Sequence, residues 1–156
     1  MPEGVDNCVK GVYINSMLTR DNILIGGQAL RRLGHDRHTD DIDYLVWAED
    51  TPVFTHRADG DLINAAANNF LGEVFAAARP VDGVADAQTL LELKAWAWMN
   101  YLQNGCWKKA DQAEYDIKFL VRDCGVSATA IINKYAHGGE LAELEKLISA
   151  CKKEGD

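Results

Sequence analysis

Ile23-Leu24-Ile25 is a short apolar run that stops at Gly26-Gly27. A run of this length closed by glycines predicts a buried strand entering a turn. The next stretch, "QALRRL", places Ala29, Leu30 and Leu33 on one side of a helix that ends at Gly34. In "DIDYLVW", Ile42, Tyr44, Leu45, Val46 and Trp47 suit a second strand. "PVFTHRADGDL" reads as a further strand or a loop. From residue 61 the period lengthens. "DLINAAANNFLGEVFAAA" is alanine-rich with helical apolar spacing, and "ARPVDG" breaks it. "DAQTLLELKAWAWMNYLQ" predicts a strong helix starting near Asp86, and "KKADQAEYDIKFLVRD" another ending near Gly125. "SATAIINKYA" and "GELAELEKLISAC" make a final helical pair, while residues 8–20 read as a short helix or helix–strand lead-in. Strands with one helix come first and helices follow. That order predicts an α+β fold in one domain over residues 1–156, with a strand-rich core at 23–85 and a helical part at 86–156.

Composition narrows the class. The chain has 156 residues and is 47% hydrophobic, enough for one ordinary core. No apolar run approaches the roughly 20 residues a membrane-spanning helix needs. The N-terminal stretch has no basic region followed by an apolar block, so it does not read as a signal peptide, and a cytoplasmic protein is expected. Cys8, Cys106, Cys124 and Cys151 form no CxxC pair and read as buried or inert thiols; a disulfide framework or zinc site is the weaker alternative. The net charge of −8 argues against a general nucleic-acid binder. A local patch from Arg31, Arg32, Arg37, Lys108 and Lys109 could still touch RNA, although solvated surface residues are the plainer reading.

Two features carry chemistry. A strand turning through Gly26-Gly27 into a helix exposes backbone N–H groups whose dipole favours an anion such as phosphate, and the missing Cβ atoms permit close approach. On a strand, Asp41 and Asp43 project to the same side, with Ile42 expected to point into the core. Two adjacent carboxylates repel unless a cation sits between them. Mg²⁺ suits such a pair, taking one or two carboxylates together with substrate phosphates. A solvated acidic turn is the alternative, and Asp59-Gly60-Asp61 repeats the same spacing elsewhere in the chain.

Together these residues carry a resemblance. "ILIGGQALRRLGHDRHTDDIDYLV" resembles the nucleotidyltransferase superfamily related to DNA polymerase beta, and within it the minimal, AbiE toxin-like branch. The pattern of that branch is an apolar strand, Gly-Gly, a small apolar helix start, then Arg-x-Thr-x-Asp-apolar-Asp. Here Gly26, Gly27, Ala29, Arg37, Thr39, Asp41 and Asp43 match it. "TLLELKAWAWMNYL" followed by "KKADQAEYDIKFL" is similar to the branch's later motifs, a lysine in one helix and an aspartate in the next. Lys94 and Asp116 are the matching positions, with Asp111 and Glu114 as neighbouring alternatives for the acid. The resemblance spans residues 23–120.

The resemblance implies a small mixed nucleotidyltransferase-type sheet with flanking helices. It implies transfer of a nucleoside monophosphate from an NTP to an acceptor, which could be RNA, protein or a small molecule. Asp41 and Asp43 would hold Mg²⁺ or Mn²⁺ and, with Lys94, would be catalytic. Gly26, Gly27, Arg37, Thr39, Lys94 and Asp116 would bind the nucleotide. A third metal-binding carboxylate is not placed; Asp59, Asp61 and Asp116 are candidates. The branch also implies a toxin–antitoxin or phage-defence role, with a protein partner or antitoxin. The alternative is a catalytically degenerate module that binds nucleotide or a protein partner.

Lys94 stands out independently. On a helical wheel it falls within the face formed by Leu90, Leu91, Ala97, Trp98 and Tyr101, so it must snorkel or meet a charge. Asp116 lies at the border of its own helix's apolar face, placed to pair with Lys94. Trp47, Trp96, Trp98 and Trp107 are expected to pack the core. His35 and His38 flank Asp36 and read as a polar loop, with zinc the weaker alternative; His38 is also a candidate for steering the acceptor or acting as a base.

Overall fold

The computed structural model describes residues 22–155. The expected lead-in at 8–20 and Cys8 lie outside the described residues. Strand β1 (Ile23–Ile25) is buried throughout and runs directly into helix α1 (Gly26–Arg32). Strands β2 (Asp43–Val46), β3 (Phe54–Arg57) and β4 (Gly60–Asn64) complete a four-stranded sheet in the order β1-β2-β4-β3. β2 is antiparallel to β1 and parallel to β4, and β3 closes the sheet antiparallel to β4. The fold is α+β, with this mixed sheet first and helices after it. The outer side of β1 is covered by the turn at 81–85, where Leu24 N–H donates to Gly83 and Ala85 N–H donates to Leu24. The break expected at "ARPVDG" therefore blunts a sheet edge.

The helix expected from residue 61 is corrected. Residues 60–64 form β4, and the alanine run makes a single 3₁₀ turn at Ala65–Ala67. Pairing with β2 and β3 satisfies the backbone of Leu62 and Ile63. Buried Asn64 then binds Ala48, Thr51 and Ala66 through its carboxamide. Long-range pairing thus makes 60–64 a strand, and Asn64 ends it just before the alanines. Helix α2 (Asn69–Ala77) starts at Asn68, whose side chain accepts from Leu71 N–H.

In the second half, α3 (Ala87–Gln103) is capped by Asp86, and α4 (Trp107–Arg122) packs against it. The short α5 (Ile132–Tyr135) is tied to α3 by buried Glu92, whose two carboxylate oxygens accept the N–H groups of Ile131 and Ile132. The last helix, α6 (Gly139–Gly155), lies on α4. Leu30, Leu45, Leu71, Leu90, Leu91, Ile117, Leu120 and Leu144 form a continuous core joining sheet and helices. No described helix is long and apolar enough to cross a membrane.

Two core assignments are corrected. Trp98 is buried, and Trp47 and Trp96 pack partly buried against the core, but Trp107 opens α4 at 63% exposure. Cys106, just before it, is exposed. Cys124 and Cys151 are free thiols whose pKa burial raises.

Candidate functional site

The sheet register assembles the site. Ile25 pairs with Asp43 across β1 and β2, and His56 pairs with Asp61 across β3 and β4. Because Tyr44 is level with Leu62, Asp43 is level with Asp61 on the neighbouring parallel strand. Ile25, Asp43, Asp61 and His56 thus form one row across the sheet, and residues level on adjacent strands face the same side. The Asp61 N–H donates to Asp43 Oδ1 at 2.8 Å. Burial raises the pKa of Asp43 most. The Asp61 N–H opposes this, the charges of Asp61 and Asp41 add to it, and Lys94 opposes it, leaving the carboxyl above its usual value. Crowded, half-buried acids of this kind favour a bound cation.

Asp41 is not on the strand. β2 begins at Asp43, so Asp41 and Ile42 belong to the approach segment, and Ile42 is 36% exposed rather than turned into the core. That segment is held by its backbone: Ile42 N–H donates to Asp59 and Ile42 C=O accepts from Arg57. Among the candidate third acids, Asp61 lies in the row. Asp59 stands 3.7 Å from Arg57 at the hairpin tip, and Asp116 is committed elsewhere.

The glycine pair has a steric role here. Gly26 has φ +68°, and a Cβ there would lie 2.7 Å from Asp43 Oδ2. A Cβ on Gly27 would strike the Thr39 methyl and come within 2.8 Å of Arg37 Nη2. Thr39 in turn accepts the Asp41 N–H on its hydroxyl and the Gln28 side-chain N–H on its carbonyl. The spacing of Gly26, Gly27, Arg37, Thr39, Asp41 and Asp43 is therefore that of a strap laid across the start of α1.

The strap is anchored on a buried acid. Asp116, fully buried on α4, has Lys94 Nζ 3.0 Å from Oδ2 and Arg37 Nε 3.0 Å from Oδ1. These two are close charge contacts rather than aligned hydrogen bonds. His35 Nε2 donates to Oδ1 at 3.0 Å, and its ring stacks on Phe119 at 4.3 Å. His35 is thus buried, not part of a polar loop, whereas His38 is exposed beside Asp40. Arg37 faces Asp116, so it does not join the surface patch that its sequence neighbours suggested; Arg31 and Arg32 are exposed.

Lys94 and the acid row line one cavity of about 540 Å³ between the sheet and α3. Gly26, Asp43, Asp61 and Lys94 border it, together with Phe54, Trp96 and Tyr101. No family model, curated protein or solved structure matches the chain. The site rests on its geometry. Asp61's place in the row, Phe54 and the His35 anchor were not legible as such in the sequence. The only signal for Asp61 was the second Asp-x-Asp, and its meaning depends on which strand β4 joins.

Proposed function

We propose that the protein is a metal-dependent nucleotidyltransferase. The observation that carries this reading is the pair Asp43 and Asp61 on adjacent parallel strands, facing Lys94 across one cavity beside Gly26. The sequence resemblance supports it. Asp43 and Asp61, with Asp41 alongside, are the residues that would hold Mg²⁺ or Mn²⁺.

The fit is partial but sufficient. Among the described residues no three His, Cys, Asp or Glu groups form a ready-made metal cage. Asp61 Oδ1 is hydrogen-bonded to His56 Nδ1 at 2.9 Å. Mg²⁺, however, takes few protein carboxylates and completes its shell with substrate phosphates and water. Burial raises the Asp43 pKa most, and the charges of Asp61 and Asp41 add to it; that charge crowding supports a cation at this place. When bound, such an ion neutralises phosphate charge and aligns attacker and leaving group.

The reaction forms a bond from an acceptor oxygen to the α-phosphorus, breaks the bond to pyrophosphate, and passes the acceptor's proton to solvent. Gly26 keeps the wall beside Asp43 free of a side chain. Lys94, held by Asp116, supplies positive charge for the triphosphate. Arg37 and Thr39 hold the strap that carries Asp41, and Arg37 adds charge beside Gly27.

A second reading is a nucleotide-binding module without catalysis. It is favoured by the Asp61–His56 and Lys94–Asp116 pairings, which already give these groups partners of opposite charge or hydrogen-bonding character within the chain. Label transfer separates the two. The protein is incubated with Mg²⁺, each α-labelled NTP, total RNA and protein extract, beside the Asp41→Asn, Asp43→Asn double variant. Label reaching a macromolecule only with the unmutated protein supports the enzyme and names its acceptor class. The toxin–antitoxin or phage-defence role is part of the same proposal and depends on that acceptor. Nucleotide binding with no transfer selects the module.

A further inference from the structure

The acid row explains only part of the cavity lining; another part is aromatic. Ile63 and Phe54 are paired across β4 and β3, one step along the sheet from Asp61 and His56 and on the same face. Phe54 is 47% exposed on the edge strand β3. Its ring lies near-parallel to Trp96, centroids 6.2 Å apart and planes at 17°. Trp96 is backed by Phe70 at 5.6 Å, so it is braced from the core side. Tyr101, on the same wall of α3, lines the cavity too, and Lys109 Nζ lies 5.8 Å from its ring centre. One cavity is thus lined both by carboxylates and a lysine and by a braced aromatic surface.

We propose that Phe54 and Trp96 form the nucleobase-binding surface of this site, taking the flat face of the base while the triphosphate lies toward Asp43, Asp61 and Lys94. This rests on the nucleotide reading above and deepens it. A cavity of about 540 Å³ is within the range of small-molecule sites. Neither inorganic triphosphate nor a purely apolar ligand matches both the charged and the aromatic lining; a nucleoside triphosphate does. Stacking on a ring uses the π-face that every base has. The surface therefore separates nucleotides from inorganic polyphosphates more strongly than it separates one base from another.

The test compares Phe54→Ala and Phe54→Leu with the unmutated protein. Binding of the four NTPs and of inorganic tripolyphosphate is measured by calorimetry in Mg²⁺, with melting curves to confirm folding. Phe54→Leu keeps apolar bulk without the ring and guards against a folding defect in Phe54→Ala. The expected result is a roughly 5- to 150-fold loss of NTP affinity, the range of one lost stacking contact, with tripolyphosphate binding unchanged. Nucleotide binding should also quench tryptophan fluorescence, and Trp96→Phe should remove that signal. If the unmutated protein binds NTP and tripolyphosphate equally, or if folded Phe54 variants bind NTP normally, the aromatic surface is overturned and the nucleotide site stands. If the unmutated protein binds neither ligand, both readings fall.

Discussion

At the scale of single residues, the site sets function against stability. Burial and the charges of Asp61 and Asp41 raise the Asp43 pKa, so its ionised form is disfavoured in the folded protein without a cation. Asn keeps an oxygen to accept the Asp61 N–H and removes the charge. Asp43→Asn should therefore melt at the same temperature or higher in the absence of metal, while label transfer is lost. A clear drop in its melting point would contradict the crowding argument. Gly26 is the reverse case. Its φ of +68° and its contact with Asp43 leave no room for a Cβ. Gly26→Ala should cost about 1–2 kcal/mol from backbone conformation, with more from the collision, and should weaken nucleotide binding. Urea unfolding and calorimetry measure the two effects separately. Both residues stood out in the sequence because their types are costly without a reason, a glycine pair ending a strand and two acids nearly adjacent.

Among the elements, α3 carries the site lysine and the proposed base surface, so its start matters. The Asp86 carboxylate caps it, accepting from the Thr89 hydroxyl and the N–H groups of Thr89 and Arg79. Burial works against this charge, but those hydrogen bonds outweigh it and hold the pKa below the ordinary carboxylate value. A depressed folded-state pKa means the stabilisation is present above the unfolded value of about 3.9 and fades as pH falls through the folded one. Asp86→Ala should cost about 1 kcal/mol at neutral pH, and the gap to the unmutated protein should narrow below about pH 4. Denaturant titrations at several pH values test this. A gap that persists undiminished in strong acid would show that the carboxylate charge is not the stabilising element. This helix and its cap were legible locally, since Asp before a long apolar-periodic run needs no distant partner. β4 was not, because it leads straight into an alanine run that favours helix, and only pairing with two neighbouring strands marks 60–64 as a strand.

On the scale of the molecule, Asp116 joins parts that are far apart in sequence. It holds Lys94 of α3, Arg37 of the strap and His35, from its own position on α4. Removing one partner from a buried charge cluster leaves the others unpaired. Asp116→Ala should destabilise by about 3–5 kcal/mol, measured by urea unfolding. A loss below 1 kcal/mol would mean that Lys94 and Arg37 find water or other partners readily. The Lys94–Asp116 pair was anticipated because each sat on or beside an apolar helical face. The addition of His35 and Arg37 was not, since it depends on how the strap folds over α4.

The sequence by itself determined the α+β order, the glycine turn, the Asp-x-Asp segment, and a lysine and an acid held at apolar helical faces. These follow from periodicity, from steric freedom and from the cost of burying charge, all of which act over a few residues. Tertiary structure decided that 60–64 is a strand, that Asp61 rather than Asp59 stands level with Asp43, and that Phe54 lies in the same cavity as Lys94. Strand order and register set those outcomes. They depend on which backbone groups pair across long stretches of chain; the pattern along one strand says which face it buries, not which strand lies beside it.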